Sequence, residues 1–431
     1  MSGRSTVRSP IPASTRELVV ACAAVLVVFF VGVGLKASGS SWAGGDAWIA
    51  RGDFEEFYIV GRILNDHDEA RLYDFARQSQ VYRDVVPGAT TLKLPFAHPP
   101  LVAVAFRPLA RLPFSTALRV FLAITPIVFL AALWLLTGTF GPFPRDERAL
   151  ALLAGMSFFP FLGYTWLGGQ ISVIGLAAIA LALAEEDRGR PFRSGLALSL
   201  CLYKPTLLVL ILPMLVLTRP VRQLAGFIAG ASVVGLASLL LAGREANLAF
   251  IEKTKWMIDQ SMAAGDPPFN EFRYIDVNAF FRLLPYGRSA GGYLLLAGIS
   301  MIAATALVRV WLQSRTIDRH KSLLVWAATL AWTPILSIYT PFYDSILVVP
   351  AGVLSVAAVR ARAWQGWNRL GPMLACVYVT PWLAEICART FNVQIYTLVL
   401  GAFGTLLLVE ANRPVAATTI REQRRHEGGA I

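Results

Sequence analysis

The chain has 431 residues, 56% of them hydrophobic and 15% charged, with a mean hydropathy of +0.57. Soluble domains carry about 25% charged residues, so this composition excludes one and points to a bilayer. A net charge of +12 would suit a nucleic-acid partner, but the Lys and Arg sit in short segments between apolar runs. That is a membrane pattern, and it argues against nucleic acid.

The first apolar run, Leu18 to Leu35, follows Arg4, Arg8 and Arg16. Lys36 comes next with no small-residue cleavage site, so the run reads as an uncleaved anchor. Further apolar stretches at 117–139, 149–166, 170–184, 223–242, 292–310, 322–336, 345–359, 370–384 and 395–409 approach the roughly 20 residues that a span requires. Basic residues cluster in alternate turns: Arg219 and Arg222, then Arg315, Arg319 and Lys321, then Arg360, Arg362 and Arg369. The segment 37–97 instead holds six basic against nine acidic residues. The positive-inside rule then places both termini in the cytoplasm and the segments 37–97, 243–291, 338–344 and 385–394 outside. Residues 1–17 read as a cytoplasmic segment, 18–411 as the membrane domain and 412–431 as a cytoplasmic tail.

Two apolar segments depart from the simple span. Pro99 to Leu112 is broken by Pro108 and carries Arg107 and Arg111, which suits a short interfacial helix. Ser194 to Leu217 contains Lys204-Pro205 at its centre, where proline removes a donor and lysine is costly in lipid. It reads as two half-helices that enter and leave on one side, or as an interrupted span. The cysteines Cys22, Cys201, Cys376 and Cys387 are scattered without a C-x-x-C, which suits packing rather than a zinc site or disulfides.

Chemistry-bearing residues begin with Gly52-Asp53-Phe54-Glu55-Glu56-Phe57-Tyr58. Phe54, Phe57, Tyr58 and Gly61 recur at helical spacing, predicting an amphipathic helix on the membrane surface. Asp53 at its start is either an N-cap or a general base, and the roles can coexist. His98-Pro99-Pro100 is a turn at the interface, or supplies an imidazole to a phosphate or sugar hydroxyl. Gln170 is a helix-end polar group or a ligand contact. Lys204, an ammonium inside an apolar segment, needs a carboxylate or a ligand phosphate. In the second outer loop, Arg273 and Tyr274 precede Asp276, and Asn278 and Arg282 share a helix face. The turn 337–344 adds Tyr339, Tyr343 and Asp344. Asp66-His67-Asp68 imitates a D-x-D metal motif but lies in a polar run that reads as a solvated turn. No Walker A pattern occurs, so nothing points to ATP-driven transport.

In order along the chain, G-D-F-x-x-F-Y at 52–58, H-P-P-L at 98–101, G-Q-I-S at 169–172 and S-G-L-A-L-x-x-x-x-Y-K-P at 194–205 resemble glycosyltransferase family 87. These are GT-C-type membrane enzymes that include polyprenol-phosphate-mannose-dependent mannosyltransferases of actinobacteria. The resemblance covers roughly 15–410. It implies an all-α polytopic membrane protein, a GT-C-like bundle of about 10–12 transmembrane helices with interfacial helices in the first outer loop. It also implies Asp53 as the catalytic carboxylate and Gln170 and Lys204 as polar positions of the core. Where mycobacterial members carry a histidine in a late outer turn, this chain has Tyr343 and Asp344.

The reaction that this resemblance implies is transfer of a hexose, mannose above all, from a polyprenyl-phosphate sugar to a cell-envelope glycan or glycolipid, with inversion and without a metal. Asp53 serves as base; Lys204, His98, Arg62 and Arg282 bind the donor phosphate; Tyr58, Gln170, Asn278, Tyr343 and Asp344 line the pocket or hold the acceptor. The expected setting is the bacterial inner membrane with the site on the outer face. The competing class is a transporter or lipid flippase, which also uses broken helices and buried charges.

Overall fold

The computed structural model describes residues 15–38, 52–86, 92, 95–141, 143–262, 271–313, 319–362 and 365–413. The N-terminal arginines Arg4 and Arg8, Arg315, the tail after 413 and parts of both long loops lie outside the described residues.

A backbone in hydrocarbon has to satisfy its own hydrogen bonds, which favours helix wherever an apolar run is long enough. The α-helices are α1 (Thr15–Ser38), α2 (Phe54–Asn65), α3 (Phe75–Val85), α4 (Pro100–Phe106), α5 (Phe114–Thr139), α6 (Arg145–Met156), α7 (Ser172–Asp187) and α8 (Pro191–Ser199). After them come α9 (Ile211–Thr218), α10 (Val221–Met262), α11 (Val277–Leu283), α12 (Ala290–Gln313), α13 (Arg319–Leu336), α14 (Val348–Ala361), α15 (Trp367–Phe391) and α16 (Ile395–Asn412). Among the described residues there is no strand, only one isolated antiparallel bridge between Tyr274 and Pro341.

Seven helical segments among the described residues are long and apolar enough to cross a membrane, or eight if α6 and the π-helical turn Pro160–Trp166, bent by 48°, form one span. With the shorter α7 and α13 they account for the ten apolar stretches. Large apolar side chains on these helices point outward, Leu240 of α10 at 73% exposure and Leu294 of α12 at 75%. Contiguous apolar surface of that kind belongs against lipid tails.

Successive helices alternate between two ends of the bundle, one marked by Asp53 and the other by Glu186. At the Asp53 end, Lys36 closes α1 by donating to Leu167 O (2.7 Å), and Gln394 before α16 donates to Phe272 O before α11 (2.9 Å). At the other end, Glu186 closes α7 against Arg219 (2.9 Å) and accepts from Trp326 of α13 (3.1 Å). Two neighbouring turns at that end are fixed by Arg360 and Glu147 (2.8 Å).

The segment holding Lys204 takes the hairpin form. Arg190, before α8, faces Glu185 (3.7 Å), and Arg219, after α9, faces Glu186 (2.9 Å), so both limbs start and finish at the Glu186 end. Gln223 ties the base together by donating to Ser194 Oγ (2.8 Å) and Glu186 (3.0 Å). The limbs tighten into 3₁₀ turns at Leu200–Tyr203 and Pro205–Leu208, with Lys204 extended between them at φ −145°, ψ 85°. Proline disfavours helical backbone at the residue before it, and here Lys204 leaves the helical region. The upward limb, about 20 Å by helical rise, carries Lys204 to the Asp53 end.

The segment between α1 and α5 also folds. Helix α4 and the 3₁₀ turn Leu109–Arg111 form a short helical element between Pro99 and Leu112. The apolar stripe of α2 does form, but protein covers it instead of lipid. Phe54 packs on Phe106, Phe114 and Phe121, and Phe57 stacks on Phe106. Of the four cysteines, Cys22 and Cys201 are buried as packing requires, but Cys376 is exposed and Cys387 partly so.

Candidate active site

Asp53 does not cap α2. Its backbone is helical (φ −73°, ψ −12°) and its side chain bonds none of the first-turn amides, whereas a capping Asp takes extended dihedrals to reach them. The carboxylate instead accepts from Gln170 Nε2 at Oδ2 (2.6 Å). Its backbone N–H donates to Gly168 O (2.8 Å), which clamps the entry of α2 to the turn before α7.

Glycine makes that clamp possible. Gly169 sits at φ +82°, and a Cβ there would lie 2.7 Å from Phe54 N. A Cβ on Gly52 would meet Lys36 Nζ at 2.7 Å and Gly168 O at 2.9 Å. Only glycine tolerates both the left-handed backbone and the close approach.

Burial raises the Asp53 carboxyl above the ordinary 3.8, against the hydrogen bond from Gln170 and the charges of Lys36, Arg273 and Lys204. The side chain is nonetheless only partly buried, and among the described residues its Oδ1 has no hydrogen bond. One oxygen is thus fixed and the other is open to a ligand.

Lys204, at the hairpin tip, pairs with Asp344 Oδ2 (2.6 Å) and lies over the Tyr343 ring at 4.4 Å. Asp344 is 1% exposed and its Oδ1 accepts from Ser172 Oγ (3.2 Å). His98 stacks on Tyr203, with Nδ1 3.4 Å from Tyr203 O. Burial and then the nearby Lys204 push the imidazole down to about 3, opposed by its bond to Tyr203 O. His98 is therefore neutral at physiological pH, and with its one proton on Nδ1 for Tyr203 O its Nε2 is left as a hydrogen-bond acceptor.

The segment around α11 packs against the late turn. Asp276 caps α11 by accepting from Ala279 N (2.9 Å) and also accepts from Thr340 N (3.0 Å), while Ile275 N donates to Thr340 O (2.8 Å). Burial raises the Asp276 carboxyl to about 6 despite these bonds. Tyr274 packs edge-on to Tyr339 at 5.7 Å. Arg273 pairs with Glu385 (3.5 Å), which also accepts from Arg389 and Tyr164.

Asp53, Gln170, Lys204, His98, Tyr343 and Asp344 thus meet where α2, the turn before α7, the hairpin tip and the late turn converge. The glycosyltransferase family 87 model matches residues 96–332, more than half of the chain. The chain belongs to this family. The match contains His98, Gln170, Lys204, Asn278 and Arg282, while Asp53, Tyr343 and Asp344 lie outside it. Among curated proteins and solved structures, no match is found. The protein is a membrane glycosyltransferase.

Three residues named from the transferase's sequence, Tyr58, Arg62 and Arg282, have their side chains committed elsewhere. Tyr58 donates its hydroxyl to Leu112 O (2.7 Å) and packs edge-on to Phe114, so it serves the core. Arg62 lies more than two turns along α2 from Asp53, beside Asp66 (3.6 Å). Arg282 is buried against Glu271 (2.6 Å). Asn278 is partly buried, one turn earlier on α11. Asp66-His67-Asp68 is a turn, with His67 at φ +57° and both carboxylates facing Arg77, at 3.4 Å and 2.7 Å.

Sequence reasoning did not single out Lys36, Tyr203, Ser172 or Glu56. Glu56 had a legible signal, because it stands one turn after Asp53 on the same helix face. The other three had none, since their roles depend on contacts between distant segments.

Proposed function

We propose that this family 87 enzyme transfers a hexose, mannose most specifically, from a polyprenyl-phosphate donor to a cell-envelope glycan or glycolipid with inversion, using Asp53 as general base. The observation that carries the reading is the Asp53 carboxyl. One oxygen is held by Gln170 (2.6 Å), the other is open, and burial makes the group more basic than an ordinary aspartate. An acceptor hydroxyl is a poor nucleophile until its proton is taken. In this scheme the proton passes to Asp53 as the acceptor oxygen bonds C1 of the donor sugar. The bond from C1 to the phosphate oxygen breaks on the opposite face, and the lipid phosphate leaves with the electron pair.

Charge gathering on that phosphate requires cations and donors already in place. Lys204 supplies the charge, and the neutral His98 can accept from a sugar hydroxyl of the donor at Nε2. Asp344 orients Lys204, whose ammonium has three donors to share. No step of the scheme calls on a metal. The Glu186 end, with Arg188, Arg190, Arg193, Arg219 and Arg222 in its turns, is assigned to the cytoplasm and the Asp53 end to the outer face of the inner membrane.

The test is reconstitution in liposomes with radiolabelled polyprenyl-phosphate mannose and a mannoside acceptor. Wild type forms a new glycosidic bond of inverted configuration and Asp53→Asn forms none. Wild-type rates in Asp53→Asn, or donor movement across the bilayer without a new bond, would overturn the assignment.

A further inference from the structure

Glu56 is one helical turn beyond Asp53 on α2, so its carboxyl is on the same face as the base. Its surroundings are those of the site: its charge is felt together with that of Asp53 at Tyr274 and Tyr343, and Lys204 acts on it in turn. Among the described residues its carboxyl has neither a hydrogen bond nor an ion-pair partner. Its neighbour Glu55 differs, accepting a hydrogen bond from Tyr82. Two adjacent glutamates thus have separate fates, one tied into the fold and the other left at the crevice beside the base.

A partly buried carboxyl among like charges without a partner destabilises the fold, because the water contacts it loses go uncompensated. Burial first, and then the proximity of Asp53 and Glu55, drive its proton affinity well above that of an ordinary glutamate, with only Lys204 opposing. Such a cost is typical of a group that meets its partner only when a ligand arrives. A carboxyl, ionised or protonated, hydrogen-bonds hydroxyls, and the base beside it marks the position of the attacking sugar.

We infer that Glu56 is a specificity-determining residue that binds hydroxyls of the acceptor sugar flanking the one deprotonated by Asp53. The inference rests on the transferase reading above. A carboxyl with two free oxygens can engage two adjacent hydroxyls, and this fixes which hydroxyl of the ring faces Asp53.

The experiment uses the full-length protein in liposomes with polyprenyl-phosphate mannose, taking methyl α-mannoside and its monodeoxy analogues as acceptor probes. Glu56→Gln and Glu56→Ala raise the acceptor KM on the order of tenfold to a hundredfold, leave the donor KM unchanged and change kcat little. At least one deoxy analogue loses as much with wild type and loses nothing further with Glu56→Ala. Glu55→Gln keeps the wild-type acceptor KM, and melting curves show Glu56→Gln no less stable than wild type. Unchanged acceptor KM and unchanged deoxy discrimination in a folded Glu56→Ala protein overturn the inference. Should wild type form no glycosidic bond, the transferase reading fails instead. Saturation binding of the same mannoside, weakened in Glu56→Ala or not, then decides the role of Glu56 by itself.

Discussion

Replacing Lys204 by methionine separates structural from catalytic roles at the hairpin tip. The substitution keeps the stem and removes the ammonium that sits 2.6 Å from Asp344. Asp344, 1% exposed, would keep only the Ser172 hydroxyl, and stranding a buried charge in this way costs roughly 3–5 kcal/mol. Lys204→Met therefore unfolds at markedly lower temperature in detergent, followed by tryptophan fluorescence. The double variant Lys204→Met, Asp344→Leu removes both charges and returns stability to within about 2 kcal/mol of wild type, because an apolar pair can replace a buried ion pair at little cost. Transfer does not return with it. Without a cation at the phosphate, the rate stays down by roughly 10²–10³, the loss seen when one pre-placed charge-stabilising donor is removed. Recovery of transfer together with stability would show that Lys204 only supports the fold. A Lys204→Met protein as stable as wild type would refute the buried pair.

The pH dependence follows from the same carboxyls. Transfer requires ionised Asp53, so the acid limb of kcat/KM lies above the ordinary 3.8 and moves higher in Gln170→Leu, which removes a bond favouring the charged form; a limb that moves lower contradicts the geometry. Asp53 and Glu56 both titrate above their unfolded values, so their stabilising share is complete at acid pH and is lost as pH rises through the folded values. Asp53→Asn accordingly melts no lower than wild type at neutral pH, whereas a large drop there would mean that its charge supports the fold. Gly169→Ala places a Cβ 2.7 Å from Phe54 N at φ +82°. It costs on the order of 1–3 kcal/mol and lowers transfer by separating Gln170 from Asp53, checked by melting and by kcat. Finally, Asp66 and Asp68 are occupied by Arg77, so chelator treatment and Asp68→Asn leave transfer unchanged. A loss that one divalent ion restores would reassign that turn.

The spans were legible because hydropathy sums over residues that are neighbours in the chain. The ten apolar stretches, the short element after Pro99 and the break at Lys204-Pro205 all follow from local chemistry, since lipid rewards apolar runs and proline disfavours helix before it. The stripe Phe54, Phe57, Tyr58 and Gly61 gave α2 by the same local logic. It could not say that protein covers that stripe, because Phe106 and Phe114 belong to other helices.

The partners of the charged groups were not legible at all. Asp53 read as a helix cap because capping is a local habit of aspartate; its actual partner, Gln170, stands 117 residues away. Lys204 announced by its burial that it needs an anion, but only the packing of the hairpin against the late turn selected Asp344. Arg282 looked equally free in the sequence and is spent on Glu271. A side chain's chemistry and its local backbone are set within a few residues, whereas the partner that meets it is chosen by which helices pack together, and that choice made a site of Asp53, Gln170 and Lys204.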